Sequence, residues 1–311
     1  MHCPRRQRLL PVVVLALGAA SLEAQTIDDA LMMPRKQLCT GFVYMHDSWD
    51  RYWEGPLERD NGNIGTLTTQ SVSWMGTYGV TDRLNVIAMV PWVWTEASAG
   101  TLSGMAGVQD LTAAVKWHAL DTALTSLGTL QVFLVASGSI PLSDYTPDFL
   151  PMSIGLGSQR ASGRLSLNFQ SKQGWFVEGT GAYTWRDTVG LDRPAYFTDD
   201  RLVLSDQVAM PDVIDYTVRA GYWKHGLYAP VSFTQVITLG GSDIRRQDMP
   251  FVSNRMNFSS IGAMVLHPIP KLRRLEAKFA FHHIVDGRNV GKGTTFMTAL
   301  QYRFSLRESN R

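Results

Sequence analysis

The fold prediction starts from residues 76–95, GTYGVTDRLNVIAMVPWVWT. A tight polar turn at 80–82 separates two segments in which side chains of contrasting polarity alternate, and a period of two predicts a β-hairpin. On the second segment one alternate set carries no charge: Leu84, Val86, Ala88, Val90, Trp92 and Trp94. One face of this hairpin therefore suits either the core of a soluble sandwich or the lipid of a membrane.

The same alternation recurs along the rest of the chain. Most segments have about 9 to 13 residues, which is long enough for a tilted strand to cross a bilayer. Short turns and long polar connections alternate between them, as in outer-membrane barrels, where the turns are periplasmic and the loops external. The predicted strands are 38–46, 66–79, 83–95, 109–119, 129–140, 154–169, 175–186, 213–223, 227–239, 255–267, 275–285 and 294–304.

The two faces of these strands separate a membrane barrel from a soluble sandwich. Aromatic residues gather at both ends of the uncharged face, as a girdle at the two headgroup levels requires. We therefore predict an all-β fold, a transmembrane antiparallel up-and-down β-barrel of about 12 strands, with 10 or 14 as alternatives. Closure leaves no unpaired strand edge in lipid. The predicted girdle residues are Tyr78, Trp92, Trp94, Trp117, Trp175, Trp185 and Tyr222.

The N-terminal residues predict export. Three arginines precede an apolar run at 9–22 and a small residue, Ala24, which is the order of a secretory signal peptide. We expect residues 1–24 to be the signal peptide, 25–37 a periplasmic segment, 38–304 the outer-membrane barrel and 305–311 a polar tail. The expected location is the outer membrane of a Gram-negative bacterium.

Composition narrows the functional classes. After residue 24 the chain keeps one cysteine, Cys39, so neither an intrachain disulfide nor a thiolate metal cluster is expected. Basic and acidic residues number 29 and 27 in the whole chain, which gives no electrostatic signal for nucleic acid. His282 and His283 are consecutive on a strand and point to opposite faces, so they cannot share a metal ion. We expect no cofactor, no metal and no nucleic-acid partner.

The polar face supplies the candidate functional residues, which would line the lumen. Together with Asp110, Arg255 and Arg303, strand parity places eight basic and four acidic residues there. One interpretation is a pore that favours anions. The other is a set of ion pairs that merely fill the interior. The lumen candidates are Lys116, Arg160, Arg164, Glu178, Arg186, Asp215, Arg219, Glu276 and Lys278.

An enzyme is the least favoured hypothesis, and no catalytic residue is assigned. Ser260 and His283 fall on the same outward face of adjacent predicted strands, as a barrel-embedded lipid hydrolase would need. A serine nucleophile also requires an orienting third group, and none is found.

Several motifs resemble a known family. They are YGVTDRLN at 78–85, leading to a strand that ends in Val90 and Pro91, GVQDLTAAVKW at 107–117, and GLGS at 155–158. On these residues the chain resembles the outer-membrane barrel transporters assigned to the phenol meta-cleavage degradation pathway. The resemblance covers nearly the whole mature chain and implies passage of an aromatic compound across the outer membrane.

The sequence thus predicts an outer-membrane channel for passive passage of small aromatic or anionic solutes. The alternative is a closed structural or assembly barrel without conduction. The expected partners are outer-membrane lipid, a small-molecule solute and the barrel-insertion machinery.

Overall fold

Twelve long strands form one closed sheet in the computed structural model, which describes residues 26–124, 126–198, 201–245 and 250–306, without the side chain of residue 273. In chain order the strands are β1 Gln37–Trp49, β2 Leu67–Thr81, β3 Leu84–Ala97, β4 Asp110–Leu124, β5 Gly128–Pro141, β6 Arg160–Ser171, β7 Trp175–Arg186, β8 Val213–Lys224, β9 Leu227–Thr238, β10 Asn257–Ile269, β11 Leu272–Arg288 and β12 Thr294–Ser305. Successive strands pair antiparallel, and β1 closes the sheet on β12 from Gln37 opposite Ser305 to Ser48 opposite Thr294. The predicted all-β barrel of twelve strands is confirmed.

The sheet closes into a barrel because its outward face lies in lipid. Lipid offers no hydrogen-bond partner to an open sheet edge, so the first and last strands must pair with each other. Each strand has between 12 and 17 residues, enough to cross the hydrocarbon core at a tilt. Within the described part of the chain, no helix has the length and apolar character to span a bilayer.

Short turns and long loops alternate around the barrel, as predicted. The turns between β2 and β3, β6 and β7, β8 and β9, and β10 and β11 are two or three residues long. Among the described residues, the loops on the other rim contain seven short strands: Arg51–Glu54 paired with Leu57–Asp60, Ala106–Val108 added to β3, Val189–Gly190 paired with Gln207–Val208, and Tyr196–Thr198 paired with Arg201–Val203. Both ends of the barrel sheet, Gln37 and Ser305, therefore lie at the turn rim.

Some predicted strand bounds are wrong, and the backbone explains two of them. Strand β6 begins at Arg160 and not at residue 154, because Gly157 adopts a left-handed φ of 70° and Ile154 turns inward to pack on Val93 and Tyr145. Strand β11 begins at Leu272 and not at residue 275. Lys271, with a φ of 72°, makes the preceding turn only two residues long.

The outward face matches the uncharged sets found in the sequence. Val86, Trp92, Trp117, Val218 and Phe296 all have exposed side chains, while their chain neighbours on the same strands face inward. Of the seven girdle candidates, Tyr78, Trp117, Trp175 and Tyr222 lie toward the turn rim, and Trp92, Trp94 and Trp185 lie toward the loop rim.

Candidate functional site: the barrel lumen

Residues 26–33 lie inside the barrel, and we call this segment the lumen plug. The chain turns inward at the rim between β2 and β3, where the Lys36 amide donates to Gly79 O and the Arg35 amide donates to Asp82. Leu31 then packs on a buried cluster of Phe176, Tyr228 and Leu266 close to the turns. Farther in, Ile27 packs on Ile87, Ala114 and Val135. Residues 25–37 were expected to form a periplasmic segment. Of these, residues 26–33 lie within the lumen.

Lys116 anchors the plug. Its side chain is fully buried on β4, and Nζ donates to Asp29 O at 2.7 Å, to Asp29 Oδ1 at 3.0 Å, to Leu31 O at 3.3 Å and to Thr26 O. The Asp29 carboxylate also shapes the segment, since it accepts hydrogen bonds from the Thr26 amide and hydroxyl and from the Leu31 amide. An ammonium ion buried this deeply needs such partners, because its desolvation is costly.

Two arginines on other strands of the wall also hold the plug. Arg164 on β6 lies 2.9 Å from Asp215 and 3.1 Å from Asp28 of the plug. Arg219 on β8 lies 2.9 Å from Glu178 and also donates to Asp28 O. Four of the predicted lumen residues are therefore brought together, and all four take part in ion pairs.

A second polar group lies nearer the loop rim. Arg160 on β6 lies 2.7 Å from Asp110, and the Tyr145 hydroxyl donates to the same carboxylate at 2.6 Å. Tyr145 belongs to the loop between β5 and β6, where burial, and then this hydrogen bond, raises the pKa of its phenol. Arg186 lies opposite Arg160 on the neighbouring strand, and its amide donates to Asp212. A lumen cavity of about 370 Å³ lies beside Arg160 and Arg164.

The remaining predicted residues are at the turn rim and on β11. Glu276 pairs with Arg303 on β12, next to buried Cys39 on β1 and Gln301. Cys39, which had no predicted role, thus packs against an ion pair at the barrel seam. Lys278 is buried on β11 and faces the lumen cavity beside the plug.

The sequence predicted more basic than acidic residues in the lumen, but the structure places equal numbers of the two there. Arg255 lies in the loop before β10, which leaves seven of the eight predicted basic residues facing the lumen. Asp47 on β1 and plug residues Asp28 and Asp29 join the four predicted acidic residues and bring them to seven. The plug supplies two of the three added carboxylates, Asp28 and Asp29, which a count confined to strands omits.

The loops pack into a cover over the other rim. Val189, Leu191, Val208, Met210, Phe251 and Val252 form a buried apolar cluster from two loops. The loop between β5 and β6 reaches into the lumen, where Met152 O accepts a hydrogen bond from Thr95 and Ile154 O accepts one from Gln109. The contacts of this cover could not be predicted from the sequence, because they join loops distant in the chain.

Asn289 ties three loops together. Its side-chain oxygen accepts hydrogen bonds from the amides of Gly55 and Ile244, and its side-chain nitrogen donates to Asp243 and to Arg255 O. Its φ of 57° is a left-handed conformation that asparagine tolerates well. Asp243 also pairs with Arg288. Hydrogen bonding to Arg288 lowers the pKa of the Asp243 carboxyl.

Replacing Asn289 by alanine is expected to loosen this cover. The substitution leaves two buried amide donors unpaired, at about 1–3 kcal/mol each. Limited proteolysis at neutral pH should then cleave the loops at least ten times faster than in the parent protein. Asn63→Ala, at an exposed loop asparagine, is the control and should leave the rate unchanged. Equal rates in both variants would show that Asn289 does not hold the loops.

The hydrolase hypothesis fails on geometry. Ser260 is buried toward the lumen, on the same face of β10 as Gly262 and Leu266. His283 points to the other face and contacts Thr294. The prediction that both residues face outward is wrong for Ser260, and the two side chains lie on opposite sides of the wall.

Comparisons with known proteins show the fold. No protein-family model and no curated protein matches the chain. The crystal structure of the COG4313 outer membrane channel from Pseudomonas putida F1 is similar over 91% of this chain and 100% of that chain, with 14% identity and a TM-score of 0.72. At this identity the likeness establishes the barrel fold alone.

Two further structures are more distant. The NanC porin has 7% identity, covers 84% of this chain and 98% of its own, and has a TM-score of 0.44. The translocator domain of autotransporter NalP from Neisseria meningitidis has 7% identity, covers 88% and 90%, and has a TM-score of 0.45. Neither likeness is close enough to support an argument about function.

Proposed function

We propose that the protein is an outer-membrane channel for passive passage of small solutes, and that the lumen plug closes it. The closed barrel with its uncharged outer face and two aromatic levels supports the membrane location. The observation that carries the channel proposal is the binding of Lys116 to four acceptor atoms of residues 26–31. Those residues are held in the lumen by side-chain contacts and are not a strand of the sheet.

The plug can leave without breaking the barrel. Residues 26–33 have no register with any strand, and the sheet begins only at Gln37. Cavities of about 440, 370 and 390 Å³ lie beside the plug inside the wall. Withdrawal of the plug through the turn rim would join these spaces into a path.

The N-terminal processing and the cargo are part of this proposal. Cleavage after Ala24 would make the plug the free N-terminus of the mature chain, although residues 1–25 lie outside the described structure, as do residues 307–311 of the expected C-terminal tail. Two likenesses support a small-solute cargo: the resemblance to phenol meta-cleavage transporters, and the shared fold with the Pseudomonas putida F1 protein, which is an outer membrane channel. Aromatic and anionic compounds remain the expected classes, with the barrel-insertion machinery and lipid as further partners.

Selectivity provides the test of this function. Once the plug leaves with Asp28 and Asp29, seven basic residues face five acidic ones in the lumen, so anions should be favoured. In planar bilayers under a salt gradient, the reversal potential should show anion preference. Replacing both Arg160 and Arg164 by glutamine should move it toward cation preference. A conducting protein with unchanged selectivity would contradict the assignment of these arginines to the path.

A closed structural barrel is the second candidate. The lumen ion pairs and the packed loop cover favour it, because both fill space that an open pore would leave to water. A protein that stays silent in bilayers after removal of the plug would favour this second candidate.

A further inference from the structure

The cavity beside the plug has an apolar wall. It measures about 440 Å³, within the roughly 300–1,000 Å³ of small-molecule sites. Five methionines line it, one from each of β1, β2, β3, β10 and β12: Met45, Met75, Met89, Met264 and Met297. Methionine side chains are flexible and polarizable and adapt to flat apolar bodies, with favourable sulfur–aromatic contacts. A wall of this kind fits a small ring better than a hydrated ion.

One side of the same cavity carries a lysine whose ammonium group has no hydrogen bond or ion pair within the described part of the chain. Lys278 is only 8% exposed and lies on the cavity lining. Within the described residues, its Nζ makes neither a hydrogen bond nor an ion pair, unlike Lys116, Arg164 and Arg219. The nearby plug carboxylates are engaged elsewhere, Asp29 by Lys116 and Asp28 by Arg164. Three N–H donors therefore remain for a ligand.

The combination specifies the chemistry of the ligand. A buried ammonium group gains most from an anion, because charge-assisted hydrogen bonds are about twice as strong as neutral ones. The methionine wall selects an apolar body next to that anion. His282 and Arg219 line the same cavity and add donors on the Lys278 side.

We propose that this cavity binds a small aromatic monocarboxylate, with its ring among the methionines and its carboxylate on Lys278 Nζ. This proposal rests on the proposed function and extends it, because the cavity would be a binding site along the path of the solute. Neutral phenols contact the same methionines but leave the ammonium group without a counter-ion, so they bind more weakly.

Calorimetric titration of the full mature chain in nanodiscs tests the site without any flux. Benzoate is the ligand, benzamide its neutral counterpart and acetate the ligand without a ring. Benzoate should bind at least ten times more tightly than the other two. Lys278→Met should weaken benzoate binding at least tenfold and leave benzamide unchanged. Lys278→Arg should keep most of the affinity. Lys292→Met, at a loop lysine paired with Glu58, is the control and should match the parent.

The outcomes separate the site from the channel. Equal affinity for benzoate and benzamide, or undiminished benzoate binding to Lys278→Met, overturns the proposed site. A protein that conducts chloride but binds no benzoate overturns the site and keeps the channel. Benzoate binding lost in Lys278→Met, in a protein that never conducts, supports the site and contradicts the channel.

Discussion

Deletion of residues 26–33 is expected to turn a nearly silent barrel into a conducting one. The deletion removes every described plug atom between the cavities and keeps residues 34–36, which bind the turn rim. Because β1 begins at Gln37, the sheet and its seam with β12 should be unaffected. Mean current in planar bilayers should rise at least tenfold, with stronger anion preference, since Asp28 and Asp29 are lost.

The deletion needs a control for folding. Heat-dependent mobility in detergent gels should show the same folded barrel in both proteins. A scrambled plug, with the order of residues 26–33 changed and composition kept, separates specific binding from mere bulk and should conduct more than the parent. A folded deletion variant with unchanged current would contradict the plug as the closing element.

Replacing Lys116 by methionine is expected to open the channel without shortening the chain. Methionine keeps much of the volume but leaves the Asp29 carboxylate and three plug acceptors without their shared donor. Removing one partner of a buried ion pair costs about 3–5 kcal/mol. If that cost falls on the plugged state, the ratio of open to closed channels rises by a factor on the order of 100 or more.

Open probability in single-channel recordings measures this effect. Lys292→Met is the control, because it removes a loop lysine that pairs with Glu58 and is no part of the plug contacts. Adding Asp29→Asn to Lys116→Met should partly restore the closed state, because it removes the buried carboxylate charge that Lys116→Met leaves without a partner. An open probability equal to the parent's in Lys116→Met would show that the contact does not hold the channel closed.

Most of the barrel strands could be predicted from the sequence, because the alternation of polar and apolar residues is a local pattern. Strand β7 has the predicted bounds, and the inward placement of Glu178 follows from a period of two. The plug was not predictable, since residues 26–33 have no period. Its position depends on Lys116 and Arg164, which are distant in the chain. The only local signal was an acidic pair, Asp28 and Asp29, followed by apolar residues that fit neither a strand nor a solvated linker.

The lumen charges show the same limit. Parity placed Arg164 and Lys116 inside, but it could not reveal that carboxylates of the plug pair with them. Likewise, the outward assignment of Ser260 failed because the alternation of β10 was placed one residue out of step, and such a slip reverses both faces of a strand.

The most direct test of the central claim is a reversible lock between plug and wall. Ile27 packs on Ala114, so cysteines at both positions, in a Cys39→Ala background, should form a disulfide that fixes the plug in the lumen. Efflux of a small anion from liposomes integrates rare openings over minutes and is measured before and after reduction. The plugged-channel account predicts no efflux from the oxidised protein and parental efflux after reduction. Equal efflux in both states would contradict it.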